Sequence, residues 1–429
     1  MNLAKVFLCL FVYSLALSAS AGQKLNLIPW PKAVREGNGA LVITKETRIV
    51  TADKSLAPLA AILSEDIWRL TAQRLAIAVG RAHAGDISLE LSPDLKGEAY
   101  EVSVNRKAVV KGGTYQACAW GAVTLVQLLN KGDKVSLPEV TIQDQPDAEY
   151  RGTMLDLARR WHPADTLKDA IELLRLYKVR YLHLHLSDDQ SFVFPCQAFP
   201  ELASRGRSYS LNEMTDIVRF ADERGVTIIP EIDVPGHAGS WLGKRADIFG
   251  TIDPSTGKAR NTGVLNMASE KAYEGMDTLI GEMCAIFKSS PYIHMGTDET
   301  SADGLKNLPE YAAYVAKHGL KEAAAGGAGE LMSHFIVRMN DMVKKRGRQM
   351  IAWDAHSGTP NVAMPTNMIA MIWSGSPEAG LKAGFKTINA SWVPLYIVTE
   401  EGLPPEVFYE WNSRKFGGYG WSLQIPADE

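Results

Sequence analysis

From Tyr150 onward the chain alternates short apolar runs with stretches of helical periodicity. The runs fall at 150–156, 180–187, 226–233, 292–298, 349–354, 368–374, 387–391 and 416–421, each of strand length. Between them, Asp165 stands where it can cap a helix with Leu167, Ile171 and Leu174 on one stripe, and 211–224 and 271–287 repeat the helical pattern. Eight short strands alternating with helices over about 280 residues predict a (β/α)8 barrel, with a doubly wound open sheet as the alternative. Because Glu429 follows soon after the last run, no long closing helix is expected. Upstream the pattern differs. Tyr100-Glu101-Val102-Ser103-Val104 alternates as a strand, 108–111 can pair with it, and 116–129 has helical spacing. That mixture predicts a small α+β domain over 22–146, and the turn-rich stretch 144–147 separates it from a barrel over 147–429. The glycine- and alanine-rich 323–329 reads as part of a loop.

The first residues follow another pattern. Lys5, an apolar run from Val6 to Leu17, and the small residues Ala19-Ser20-Ala21 read as an export signal over 1–21. The expected location is therefore the periplasm or the exterior. A net charge of −4, with 22% charged residues and no long basic run, gives no reason to expect nucleic-acid binding, and no later segment is apolar enough to span a membrane. Of the four cysteines, Cys9 lies in the expected signal; Cys118, Cys196 and Cys284, which follow it, are odd in number and widely spaced, so they read as buried thiols rather than disulfides or zinc ligands.

The chemistry gathers at the carboxyl ends of the candidate strands, where a barrel carries its active site. Asp298-Glu299 ends the fourth run. Two carboxylates there are costly unless a partner or a function keeps them, although an Asp can also simply start a helix. As chain neighbours they cannot flank a glycosidic bond from opposite sides, but they can serve one reacting centre in different ways. His183 and His185 share a strand face and end at Asp188-Asp189. They can be hydrogen-bonded inside a barrel or can bind zinc as in metal-dependent amidohydrolases. The ligand set for metal is incomplete, so no metal or other cofactor is expected. Pro235-Gly236 makes a turn that can hold His237 over the barrel mouth. Trp353, Trp373, Trp392 and Trp421 stand at strand ends, where aromatic rings suit the apolar faces of sugars.

Taken together these motifs resemble the β-N-acetylhexosaminidases of glycoside hydrolase family 20. The residues that carry the resemblance are Arg151 to Arg159, His183 to Gln190, Pro230 to His237 and His294 to Glu299. It implies a glycan substrate with a terminal N-acetylhexosamine and substrate-assisted catalysis, an exception to the two-carboxylate scheme. Glu299 would be the general acid and then the base, and Asp298 would orient the 2-acetamido group. Asp188 and His237 would form a relay behind the acid. Arg159 would bind sugar hydroxyls, Trp353, Trp373 and Trp421 would wall the acetamido methyl, and Tyr396 would bond its oxygen.

The sequence also departs from the family pattern. Thr297 replaces a common Gly before the acid pair, and Ser191-Phe192 replace Gly-Trp. Val398 and Leu423 stand where acids usually meet the outer hydroxyls. Losing those acids suggests room for a 6-O-sulfated GlcNAc. It also keeps open a catalytically weak sugar-binding barrel as an alternative function.

Overall fold

A computed structural model of the chain describes residues 25–253, 255–260, 262–321, 329–354, 358–397, 403–418 and 421–425. The expected leader and the stretch 322–328 lie outside these residues. The chain divides into two compact units, Met1–Pro146 and Asp147–Glu429.

In the first unit, Ala33–Val42, Val135–Asp144, Tyr100–Val104, Ala108–Gly112, Ile87–Leu91, Arg48–Thr51 and Ala76–Val79 lie side by side in that order. Alternation buries Tyr100, Val102 and Val104 on one face of the central strand. The helix Tyr115–Gln127 packs against that face. Thr114 caps it by accepting the Ala117 N–H at 3.2 Å. Gly121 permits the close approach, since a Cβ there would stand 2.6 Å from Val110 Cγ1.

The second unit holds a curled parallel sheet in the sequential order of a (β/α)8 barrel. Its strands are β1 (Gly152–Asp156), β2 (Tyr181–His185), β3 (Thr227–Glu231), β4 (Tyr292–His294), β5 (Gln349–Trp353), β6 (Ile369–Ile372) and β7 (Lys386–Asn389). Tyr181, Ile229, Ile351, Ile369 and Met371 pack together as an apolar cluster. Helices α1 (Ala164–Leu176), α2 (Leu211–Asp222), α3 (Glu270–Ile286) and α4 (Gly329–Lys345) lie between strands. In α2, Ser210 and Glu213 form a reciprocal capping box. The cap of α1 is Pro163, with no side-chain bond; Asp165 sits inside the first turn, where its charge still suits the helix dipole.

The run 416–421 differs from expectation. It is not an eighth parallel strand. Lys415–Gly418 pairs antiparallel with Trp421–Gln424 as a separate hairpin. Gly417-Gly418 at the end of the first arm explains this, because glycines weaken a continuous strand. No helix among the described residues is long and apolar enough to cross a membrane.

Candidate active site

Parallel strands bring their carboxyl ends to one face, and the polar motifs meet there. Asp188 follows β2, His237 follows β3, and Asp298 and Glu299 follow β4. The Asp-Glu pair does not cap a helix, since the next one starts at Asp303 with Ala302 at its cap position. The loop carrying His237 is pinned to the end of β2. Asp189 Oδ1 accepts the Gly239 N–H at 2.8 Å, and Ser240 Oγ donates to the Asp188 carbonyl at 2.6 Å. His237, Thr297, Glu299 and Asp354 all have positive φ without being glycine. Such backbone persists only where the surroundings over-determine it, and it clusters at functional sites.

His237 stands between acids. Its Nδ1 lies 3.4 Å from Asp188 Oδ1, and its Nε2 lies 3.4 Å from Glu299 Oε2 and 3.9 Å from Asp298 Oδ1. The bond to Asp188 raises the His237 pKa above its ordinary value, more than burial lowers it. Asp188 is buried, which opposes its charge, but bonds from His185 and His237 hold its carboxyl well below the usual range. Arg159 joins the same group through Nη2, 2.7 Å from Asp188 Oδ2, while Nη1 lies 2.7 Å from Asp156.

Asp298 has the opposite environment. Burial pushes its carboxyl up to about 6; His237 opposes that rise and the charge of Glu231 adds to it. Its Oδ1 is buried and accepts no hydrogen bond among the described residues. Beneath it, Asp233 is buried and held well above the usual carboxylate range, by burial first and then by the Asp298 and Glu231 charges. Asp233 Oδ1 accepts the Thr297 N–H at 3.1 Å. Gly296 has to be glycine here, because an added Cβ would collide with the Asp233 carboxylate.

An aromatic cluster borders the acids. Trp392 packs tilted against Tyr396 at 4.4 Å between ring centres, and Trp373 lies 5.9 Å from Trp392 and 6.2 Å from Tyr396. Burial, then the charges of Asp298 and Glu231, hold the Tyr396 phenol well above its ordinary pKa, so it remains a hydroxyl. Trp353 is buried deeper and donates from Nε1 to Glu231 at 2.7 Å. The Trp421 side chain and Val398 lie outside what the structure describes.

The family model for glycosyl hydrolase family 20, catalytic domain, matches residues 149–417, and that for family 20 domain 2 matches 24–145. The chain belongs to glycosyl hydrolase family 20. It is 27% identical over 423 residues to a beta-hexosaminidase of Vibrio furnissii, covering 92% of this chain and 68% of the relative. A beta-hexosaminidase of Porphyromonas gingivalis is also 27% identical, over 77% of this chain and 45% of its own length. The chain thus spans only about half to two thirds of the length of these relatives. Among solved structures, the chitobiase of Flavobacterium johnsoniae superposes with a TM-score of 0.71 at 28% identity, over 85% of this chain and 58% of that one. An exo beta-N-acetylglucosaminidase of Vibrio harveyi in complex with N-acetylglucosamine gives 0.71 at 26%, over 85% and 60%.

In this family-20 chain two of the departures from the common motifs, Ser191-Phe192 and Leu423, are absorbed by packing. Ser191 Oγ donates to the Ala158 carbonyl at 2.5 Å, and Phe192 packs 5.5 Å from Trp241. Leu423 is half-buried and pairs with Phe416 in the hairpin. Sequence reasoning gave no role in the site to Glu231 or Asp233, and counted Trp392 only among the strand-end tryptophans suited to a sugar face. The register held the signal for the first: His185 stands beside Glu231 across β2 and β3, and Glu231 beside His294 across β3 and β4.

Proposed function

We propose that this family-20 chain is an exo-acting, retaining hydrolase that removes terminal β-linked N-acetylhexosamine, GlcNAc or GalNAc, from glycans with the help of the substrate's own acetamido group. The observation that carries this reading is His237, held by Asp188 on one side and facing both Glu299 and Asp298 on the other. Glu299, more than half exposed, can reach a leaving-group oxygen and protonate it. As the glycosidic bond breaks, the acetamido oxygen bonds to the anomeric carbon and an oxazolinium forms. Asp298 Oδ1, which has no donor among the described residues, accepts the acetamido N–H and balances the new positive charge. Glu299, now a carboxylate beside His237, then takes a proton from water as the water opens the oxazolinium. Trp353, Trp373 and Tyr396 border the acetamido group on this reading, and Arg159 meets outer hydroxyls beside Asp188. The expected leader places the enzyme in the periplasm or outside the cell.

The substrate range on this reading includes GlcNAc sulfated at O6. Leu423 stands where a carboxylate would repel the sulfate, and an apolar residue does not. Side-by-side rates on chromogenic β-GlcNAc, β-GalNAc and 6-sulfo-β-GlcNAc test both levels. Turnover of the first two that is lost in Glu299→Gln supports the activity. Sugar binding without turnover in the wild type would overturn it in favour of a binding barrel. A strong preference for unsulfated GlcNAc would sink the sulfate extension alone.

A further inference from the structure

Glu231 is fully buried, yet it is surrounded by nitrogen. Its Oε2 meets His185 Nδ1 at 2.7 Å and lies 2.9 Å from His183 Nε2. Its Oε1 accepts the Trp353 N–H at 2.7 Å and lies 3.0 Å from His294 Nδ1. His185 in turn meets Asp188 Oδ2 through Nε2 at 2.9 Å. One ring therefore bridges two carboxylates, and only an imidazolium donates to both. Asp188 is the acid that faces His237.

We propose that Glu231 is a positioning residue for the general acid: it holds His185 charged and aligned beneath Asp188, and so fixes the relay Asp188–His237–Glu299 from below. The inference rests on the hexosaminidase reading above. The fold alone does not call for a carboxylate here. A buried ion pair usually adds little stability over apolar residues of the same volume, and neighbouring Ile229 and Ile232 are apolar. The Trp353 N–H fixes the carboxylate's orientation, so its second oxygen is aimed at His185. His183 and His294 crowd the same carboxylate, which leaves it no freedom to turn away. The strand register makes the contact rigid, because Glu231 and His185 are direct neighbours across β3 and β2.

Glu231→Gln is the informative substitution. Its amide oxygen can still accept from Trp353, while its NH₂ turns toward His185 Nδ1. His185 then becomes a neutral ring that donates only to Asp188, so packing is kept and the charge is lost. Two substrates read the result: chitobiose, whose sugar leaving group needs a proton, and 2,4-dinitrophenyl β-GlcNAc, whose leaving group does not. We expect kcat/KM on chitobiose to fall roughly 10- to 100-fold, part of what a positioned acid contributes, and the dinitrophenyl rate to fall less than about threefold. In a Glu299→Gln background the same change should add little, because the acid it serves is already gone. A merely structural role would lower both substrates alike and would add to Glu299→Gln; either result overturns the proposal, as does an unchanged chitobiose rate. If Glu231→Gln does not fold, His185→Gln breaks the same bridge from its other end and carries the same expectation. A wild-type protein inert toward both glycosides would instead overturn the hexosaminidase reading on which this one rests.

Discussion

Asp298→Asn should make this protein more stable at neutral pH while removing its activity. An ordinary aspartate carboxyl titrates near 3.8, whereas Asp298 is pushed up to about 6 by burial and by the Glu231 charge, against the pull of His237. The folded state therefore binds this proton more readily than the unfolded chain. The sign follows: stability contributed by the group is greatest below about pH 4 and declines as pH rises toward 6, and the deficit is fully present above that. At 1.36 kcal/mol per tenfold, the deficit at pH 7.5 is at most about 3 kcal/mol. Asparagine cannot ionise, so it escapes the deficit. Its neutral amide also removes one of the two charges that hold the buried Asp233 carboxyl above its ordinary range. Allowing for altered hydrogen bonds, a gain of about 1–2 kcal/mol at pH 7.5 is expected, vanishing near pH 4. Urea midpoints of wild type and variant at the two pH values measure it, provided the slopes agree. An Asn variant that is equally or less stable at pH 7.5, or equally advantaged at both pH values, would refute the reasoning. Activity should move the other way, because a neutral amide cannot balance the oxazolinium.

Glu299→Gln should leave the fold intact and lower turnover of chitobiose by roughly 10²–10⁴-fold, while 2,4-dinitrophenyl β-GlcNAc is largely spared. The wild-type kcat/KM for chromogenic GlcNAc should fall about tenfold between pH 7 and pH 5, as the ionised fraction of Asp298 drops from about 0.9 to about 0.1; a flat profile over that range would count against Asp298 as the charged partner. Thr297 is a β-branched residue at φ 90°, so Thr297→Gly should raise the unfolding free energy by about 1 kcal/mol, read from urea midpoints, strain relief exceeding the lost burial. EDTA should leave activity intact, because Glu231 already receives the Trp353 N–H and meets His185, and His294 Nδ1 accepts the Gly296 N–H; loss on chelation with recovery on zinc would reverse this.

The strand pattern revealed the barrel because each run is short, apolar and ends in a polar motif. It also put Asp188, His237, Asp298 and Glu299 at neighbouring strand ends, where they meet, since parallel strands bring such ends together whatever the loop details. Glu231 and Asp233 were harder to read. They sit within the apolar motif Pro230-Glu231-Ile232-Asp233, and only strand register shows that Glu231 lies between two histidine-bearing strands. Trp392 reads as one of several strand-end tryptophans; its packing against Tyr396 depends on the turn that follows β7. The hairpin at Lys415–Gln424 escaped because alternation looks alike in a barrel strand and in an antiparallel arm, and Gly417-Gly418 at the end of its first arm was the cue to separate them.

The acids at the strand ends divide by what they touch, which resolves the ambiguity between a structural cap and a chemical group. Asp156 accepts the Arg159 N–H, Asp189 the Gly239 N–H and Asp233 the Thr297 N–H. Asp354 accepts from the backbone of Trp373, Ser374 and Gly375 and from the Ser374 hydroxyl. Each of these holds a loop. Three of them support segments that contain a residue of positive φ or carry one themselves: His237 behind Asp189, Thr297 on Asp233, and Asp354. Strain of that kind costs about 1–3 kcal/mol per residue and survives only under such bonding. Among the described residues Asp298 Oδ1 accepts no such bond, and it and the exposed Glu299 are the two carboxylates on the Nε2 side of His237, opposite Asp188. The capping acids thus shape the loops, and the shaped loops leave two acids free to meet a sugar.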